Sequence, residues 1–594
     1  MFDLGSKESR DRLHRAIKTS RDALEANWRW SRTEMIQAFV GSMYSPYGAE
    51  YTTYVNRLNQ TQKIYQMALA FNNPQVKVNS FDSKLWPFCR KFEVNINKVL
   101  ANIDFKTTFQ LGLADAFFLM GIFWVRMADA GLCEIVSNVW VDFGKPWIDR
   151  VSFDDVILDL AMKDMRQMRF CGARYRCSYD AVMRRDDFDK RVKDKLTPTS
   201  KFSYESGSKY AEQIANGTMV DDDDLQPMIW LEDVFLPKGD GARGQICTFQ
   251  ADQEDARPLK VLDEDAGPMG PFEFLTLGFV PDNIMPSSPA QNLYGLHLLG
   301  NRLYRKLAEQ ALRQKNTVGY APGGEDDASR GLNAKDGEFF KVRDPKNMQP
   351  ISFPGVDGNT NAFFLASGEL YNTAAGNERA IAGLGSETDT VGQEKMIEQH
   401  ASGMIGYMKG RVNDCAGNLS RKIGALMWDD EALTIESSME AEHTGYHVDS
   451  SWRPGEREGI KNFYDFSVEP NSMGFQPPEA KLQKVMGYLQ AVGTIFPLVQ
   501  AGLLDLQELT KLVSEYQNVP ELQRVFKFVS QQMNGSGGGA DQHAATKAPV
   551  TSREVTRNNR STGPQGAGMA AVLGQMMQGG GQQQPMKAGA GSGR

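Results

Sequence analysis

The sequence predicts an α+β fold, mainly helical, and three observations carry that prediction. Apolar residues recur every three or four positions through residues 6 to 118 and again from 288 onward, which is helical spacing. From about 121 to 280 the pattern changes to short runs of β-branched and aromatic residues separated by Gly, Asp and Pro, as strands and turns require. The third observation is the order between Ser288 and Asp430: two amphipathic helices separated by a Gly- and Asp-rich excursion, a short acidic loop, then one very long helix.

In the first half, Leu13, Ile17, Leu24, Trp28, Met35 and Phe39 keep helical spacing, and a break at Tyr44-Ser45-Pro46-Tyr47 leads to a helix that Asn73-Pro74 ends. Helical runs Ser83 to Leu100 and Phe105 to Phe118 precede a strand from Gly121 to Met127, which a turn at Asp129 to Gly131 joins to Cys133 to Val136. A short helix is expected from Ser178 to Arg185. Gly239-Asp240-Gly241-Ala242-Arg243-Gly244 spells a dinucleotide fingerprint, but it lies between the strand-like runs Ile229 to Leu236 and Gln245 to Phe249 with no helix after it. It reads as a hairpin turn.

The first central helix opens with Ser288-Pro289-Ala290-Gln291, a hydroxyl at the N-cap and proline at the first helical position. Leu293, Leu296, Leu299, Leu303 and Leu307 make its apolar stripe, with Arg302, Arg305, Lys306 and Arg313 mostly off it. Residues 316 to 358 hold short extended pieces, Val318 to Tyr320, Glu338 to Val342 and Met348 to Ile351, enough for a small sheet without a core of its own. The second helix, Asn361 to Ala382, carries Phe363, Leu370, Ala374 and Ile381 on one side and is expected to stop at Gly383-Leu384-Gly385. After Ser386 to Thr390, apolar steps continue from Val391 to Trp428, and Gly403, Gly406, Gly410, Gly417 and Gly424 within them predict a kink or a close helix–helix approach. Strands are expected over 432 to 470 and helices over 478 to 533. From Asn534 the Gly, Gln, Ala and Ser content is that of a disordered tail.

At 594 residues the chain is long enough for several regions and a sizeable core. The apolar stretch Phe117 to Val125 is too short to span a bilayer, so no membrane segment is expected. The N-terminus lacks the apolar core of a secretory signal, which predicts an intracellular product. Cys89, Cys133, Cys171, Cys177, Cys247 and Cys415 contain no Cys-x-x-Cys pair and are expected to be buried thiols. A formal charge of -8 excludes a protein that coats nucleic acid through bulk charge, so any such contact must be local.

Chemistry-bearing motifs are absent or better read otherwise. His443 and His447 have helical zinc spacing, yet Thr444, Gly445, Tyr446 and Val448 suggest a turn and strand. Asp221 to Asp224 lacks the alternation and central glycine of a calcium loop and reads as a solvated loop. No Walker A sequence, nucleophile elbow or paired acid/base set is visible, so no enzyme activity, cofactor or metal is expected.

As an ordered set, helix, excursion, helix, acidic loop and long kinked helix resemble the portal proteins, or head-to-tail connectors, of tailed bacteriophages. Val55-Asn56-Arg57-Leu58 followed by Asn73-Pro74-Gln75-Val76-Lys77-Val78 is similar to stretches of that family. So are Val151 to Asp159, with Arg169 and Arg174 downstream, and the Pro286-Ser287-Ser288 helix entry. Many portals carry Asp-Pro where this chain has Asp159-Leu160.

The resemblance implies a wing over residues 1–282 with further strands at 431–475, and stem helices at 283–315 and 359–382. It also implies a clip at 316–358, a channel loop at 383–393, a long helix at 391–430, a crown at 476–533 and a tail at 534–594. It implies a non-catalytic, dodecameric structural ring at a capsid vertex of the virion, assembled in the host cytoplasm, through which double-stranded DNA is packaged and ejected. Its partners would be the terminase large subunit, the head–tail adaptor, and the major capsid and scaffold proteins. Channel candidates are then Arg302, Arg305, Lys306, Arg313, Lys315, Glu387, Asp389 and Lys395, the basic ones suited to transient phosphate contacts or, as is commoner for exposed charges, to intersubunit ion pairs or solvation. Clip docking candidates are Tyr320, Glu338, Phe339, Phe340, Lys341 and Arg343. Alternatives are another oligomeric virion component, an adaptor or scaffold, and a nucleic-acid-processing enzyme with an unfamiliar site.

Overall fold

A computed structural model describes residues 5–41, 54–128, 144–198, 227–238, 244–251, 253, 257–264, 269–335, 339, 341–344, 346, 348–376, 391–440, 447–469, 472–474, 486–488 and 513. These fall within one compact unit, Met1–Phe528; a second unit, Val529–Arg594, lies outside the described residues. So do Tyr44 to Tyr47, Asp129 to Val136, Asp221 to Asp224, His443 and nearly all of the expected helices beyond 478.

The helical first part comprises α1 (Lys7–Leu24), continued through a π turn into α2 (Trp30–Val40), then α3 (Arg57–Leu69), β1 (Val76–Ser80), α4 (Trp86–Asn102) and α5 (Phe105–Phe118). The β-rich part follows with β2 (Gly121–Ala128), β3 (Lys145–Val151), β4 (Val156–Leu158), β5 (Cys171–Ser178), the short helices α6 (Tyr179–Arg184) and α7 (Lys190–Lys193), β6 (Met228–Pro237), β7 (Gly244–Gln250), β8 (Lys260–Glu264) and β9 (Phe272–Leu275). Next come α8 (Pro289–Arg313), β10 (Lys315–Tyr320), α9 (Glu325–Asn333), β11 (Met348–Phe353), α10 (Gly358–Ala374) and α11 (Val391–Asp429). The strands β12 (Ser438–Glu440), β13 (His447–Asp449) and β14 (Tyr464–Val468) end the described elements. The fold is therefore α+β, with more helix than strand.

Among the described residues five antiparallel sheets form: β4-β5-β6-β7-β8, β3-β2-β9, and the pairs β1-β14, β10-β11 and β12-β13. Strands β6 and β7 pair antiparallel up to Pro237 opposite Gly244, while Gly239 to Arg243 of the expected turn lie outside the described residues. Strand β2 explains why its sequence is apolar on both alternations. Its side chains point to opposite faces in turn, sending Phe123 and Val125 into one core and Ile122 and Trp124 into another.

The first core joins α3, α4 and α5 to α11 and β14. On α11, Met408, Val412, Cys415, Leu419 and Ile423 are buried at helical steps, as their periodicity predicts. An aromatic group, Phe88, Phe92, Trp428, Trp452, Tyr464 and Phe466, closes this core. Gly424 is where the close approach occurs, and it is helix against strand: a Cβ there would lie 2.6 Å from the Phe466 ring. The second core lies on the five-stranded sheet, whose other face receives Leu13 and Ile17 of α1 against Val234 and Phe249.

Helical and β-rich parts are joined by a buried charge network. Arg32, 2% exposed, donates to Asp115 at 3.1 Å and to Asp154 at 3.4 Å, while Arg150 Nη2 donates to Asp115 at 2.9 Å. The turn at Asp159-Leu160 is built without proline. The Asp159 carboxylate accepts from Ala161 N, from Arg169 N and from the Arg169 guanidinium at 2.7 and 3.0 Å. Burial pushes its pKa up, but Arg169 and these backbone donors outweigh burial and leave it lowered.

Several expectations are corrected. The excursion contains a helix, α9, whose first turn Glu325, Asp326 and Asp327 suits a helix N-terminus. The strand expected over Glu338 to Val342 is not formed at Phe339, Lys341 and Val342. Lys315 opens β10 rather than closing the helix before it, which ends at Arg313. Helix α10 ends at Ala374, with Gly376 at φ 74 in the left-handed region, before the expected stop near Gly383. Val391 to Gln393, which the expected channel loop and the expected long helix both covered, are helical.

The packed face of α10 is not the apolar side that its periodicity marks. Ser367, Tyr371 and Ala375 are buried, whereas Phe363, Leu370 and Ala374 are exposed; Ile381 lies outside the described residues. Periodicity finds a face that avoids water but not which surface covers it.

Candidate functional site

The α8–α10 hairpin is set by its caps. Ser288 Oγ accepts from Gln291 N at 3.1 Å, and Asp357 accepts from Thr360 N at 2.9 Å. Those bonds from Thr360 hold the exposed Asp357 carboxyl below its usual range. Between the helices, β10 and β11 pair from Lys315↔Phe353 to Tyr320↔Met348. Asp327, 6% exposed, accepts from Arg343 N at 2.9 Å and so pins the chain returning from α9.

One face of α8 is turned toward α3 and α10 through Leu293, His297, Gly300, Asn301 and Leu307. At about 100° per residue, Arg302, Arg305, Lys306 and Arg313 lie on the opposite face, and all four are exposed. Among the described residues none of the four forms an ion pair. The stripe from Arg302 to Arg313 is about 16 Å long, with Glu309 inside it. Such a row can meet successive phosphates or the carboxylates of another subunit.

Lys315 is exposed but differs from the others: its Nζ lies 5.4 Å from the Phe353 ring centroid. Lys395 belongs to α11, and its side chain, like Glu387 and Asp389, lies outside the described residues. At the hairpin tip Tyr320 is 49% exposed and Phe339 entirely so, with Lys341 and Arg343 exposed nearby; Glu338 and Phe340 lie outside the described residues.

The structure adds apolar residues that sequence reasoning assigned to packing or passed over. Phe363, Leu365 and Leu370 on α10, Leu312 on α8, Leu332 on α9 and Ile351 and Phe353 on β11 are all substantially exposed. An apolar surface concentrated on one hairpin marks an interaction face. Phe363, Leu370 and Ala374 share the flank of α10, roughly a quarter turn from the face packed inside the chain.

A cleft of about 1260 Å³ lies elsewhere, between α11, β14 and β9. Buried Glu273 there is paired: Lys422 Nζ is 2.9 Å from Glu273 Oε2, and Asn418 donates to Glu273 Oε1 at 2.9 Å. Cys89, Cys171, Cys177, Cys247 and Cys415 are buried free thiols, and burial pushes Cys171 and Cys177 up to about 12, far from a thiolate nucleophile at neutral pH.

Among the described residues no cluster of three His, Cys, Asp or Glu is placed to hold a metal, and no helix is long and apolar enough to cross a membrane. Compared with known protein families and with curated proteins, the chain matches none of them.

Proposed function

We propose that this chain is the subunit of a portal ring, a non-catalytic structural assembly at one capsid vertex of a tailed phage through which double-stranded DNA is packaged and ejected. The observation that carries the proposal is the α8–α10 hairpin. It has a packed face, an exposed apolar flank, an exposed basic face and a small β-sheet tip.

A closed ring would cover the flank of each hairpin with the next copy, which is the most direct account of Phe363 and Leu370 standing in water in the single chain. In this reading the basic face of α8 touches passing phosphates or carboxylates of the neighbouring subunit. An acidic chain with one short cationic stripe suits a channel, because each neutralised phosphate adds affinity and would resist movement of the DNA. The tip with Tyr320, Phe339, Lys341 and Arg343 would dock the terminase large subunit and then the head–tail adaptor, and the β-rich part would face the major capsid and scaffold proteins.

Negative-stain microscopy of the purified chain tests the proposal. Rings with a central hole, dodecameric by particle symmetry, are expected. A chain that remains monomeric at high concentration overturns it.

A further inference from the structure

The seam between α3 and the α8–α10 hairpin carries a row of polar contacts inside the first core, to which Leu58 and Tyr65 of α3 and Leu293, Tyr371 and Ala375 of the hairpin also belong. Val55 N donates to Asn301 Oδ1 at 2.8 Å and Val55 O accepts from Asn301 Nδ2 at 3.2 Å. Thr61 Oγ1 and the Tyr371 hydroxyl are 3.0 Å apart, and the Tyr65 hydroxyl donates to Ala375 O at 3.0 Å.

Arg57 crosses the middle of this seam. Its Cζ lies 5.6 Å from the Phe364 ring centroid and 5.7 Å from that of Tyr371. Both hairpin helices carry a glycine beside it. A Cβ on Gly368 would come within 2.9 Å of Arg57 Nη2, and one on Gly300 would lie 4.0 Å from Nη1. Among the described residues no carboxylate pairs with Arg57, and its buried Nη1 has no hydrogen-bond acceptor.

The cation is therefore held by ring faces and by the shape of a glycine slot. An ion pair fixes a single geometry, whereas a ring face accepts a cation over a range of positions. We infer that Arg57 is the key of a conformational joint through which the α8–α10 hairpin opens and recloses as one unit while the rest of the chain stays folded. Water replaces the polar bonds of the seam at little cost, so the contacts that resist opening are those of Arg57 with its rings and the few apolar ones of Leu293, Tyr371 and Ala375 with the first core.

Hydrogen exchange of the full-length protein tests this, with variants compared at matched oligomeric state. Arg57→Leu is expected to speed exchange of α8 and α10 amides by at least about tenfold, leaving β5, β6 and β7 amides unchanged. Gly368→Ala should do the same by crowding the slot, and its effect should shrink in the Arg57→Leu background, where the crowded guanidinium is gone. Equal acceleration in the β5–β7 sheet, no change in the hairpin, or strictly additive effects of the two substitutions would each overturn the inference.

Discussion

Leu370→Asp is the sharpest test of the exposed flank. Leu370 is 59% exposed and its neighbour Phe363 52%, so about half of each side chain remains for another surface to cover. Complete burial of such a side chain is worth about 1.5–3 kcal/mol, which makes the uncovered half of Leu370 worth roughly 1 kcal/mol per contact. A carboxylate placed there must also be desolvated or must force the contact open, which adds roughly 2 kcal/mol. The total of about 3 kcal/mol lowers the association constant of each contact by roughly two orders of magnitude. Every contact of a ring suffers the same loss, so rings should give way to subunits.

The subunit itself should be little affected. In the single chain Leu370 faces water, so its loss should change unfolding free energy by no more than about 1 kcal/mol, mostly from the weaker helix propensity of Asp. Mass photometry across a concentration series reports the first effect and denaturant unfolding of the subunit the second. Undisturbed assembly would refute the argument. So would a folded subunit weakened by more than about 2 kcal/mol, since that would place Leu370 against its own chain.

Two further outcomes concern the fold itself. Asp115→Ala leaves Arg32, which is 2% exposed, with Asp154 as its remaining carboxylate and takes from Arg150 its hydrogen-bonded partner, so unfolding free energy should drop by about 2–4 kcal/mol in denaturant titration. The pH dependence should contain two opposed slopes. Burial pushes Asp233 up to about 6, against hydrogen bonds from Thr248 and Tyr175, so the fold binds more protons than the unfolded chain between about pH 4 and 6. Its contribution is full below pH 4 and falls by about 3 kcal/mol as pH rises through that window. Burial, then the charge of Arg57, holds His297 down at about 4, so its contribution is full above pH 6.5 and is lost by a similar amount as pH falls toward 4. Unfolding free energy measured from pH 4 to 7 should rise more steeply with pH in Asp233→Asn than in wild type, and less steeply in His297→Leu. Parallel curves for all three proteins would contradict both assignments.

Local signals were legible where the physics is local. Ser288, Pro289 and Gln291 mark the start of α8 because a cap is satisfied within one turn. The pairing of β6 with β7 follows from two strand-like runs separated by glycines. Helix α9 was hidden because Glu325 to Asn333 contains Gly331 and only two strongly apolar positions, Ala328 and Leu332, in nine residues. Its formation depends on the β10–β11 platform and on Asp327 holding Arg343 N. Residues joined across long separations, such as Arg32 with Asp154 and Arg57 with Phe364, leave no local pattern at all.

What the sequence by itself determined is the class of fold, the order of most described elements and the presence of a helical hairpin with a small tip. These rest on hydrophobic period, turn chemistry and capping, which act within a few residues. Only the tertiary structure decided which faces remain uncovered. Phe363 and Leu370 have the periodicity of a core stripe, yet Ser367, Tyr371 and Ala375 are the residues packed inside. A polar or small side chain can occupy a buried face when its partners are satisfied, as Tyr371 is by Thr61, and this leaves the apolar flank to meet another molecule.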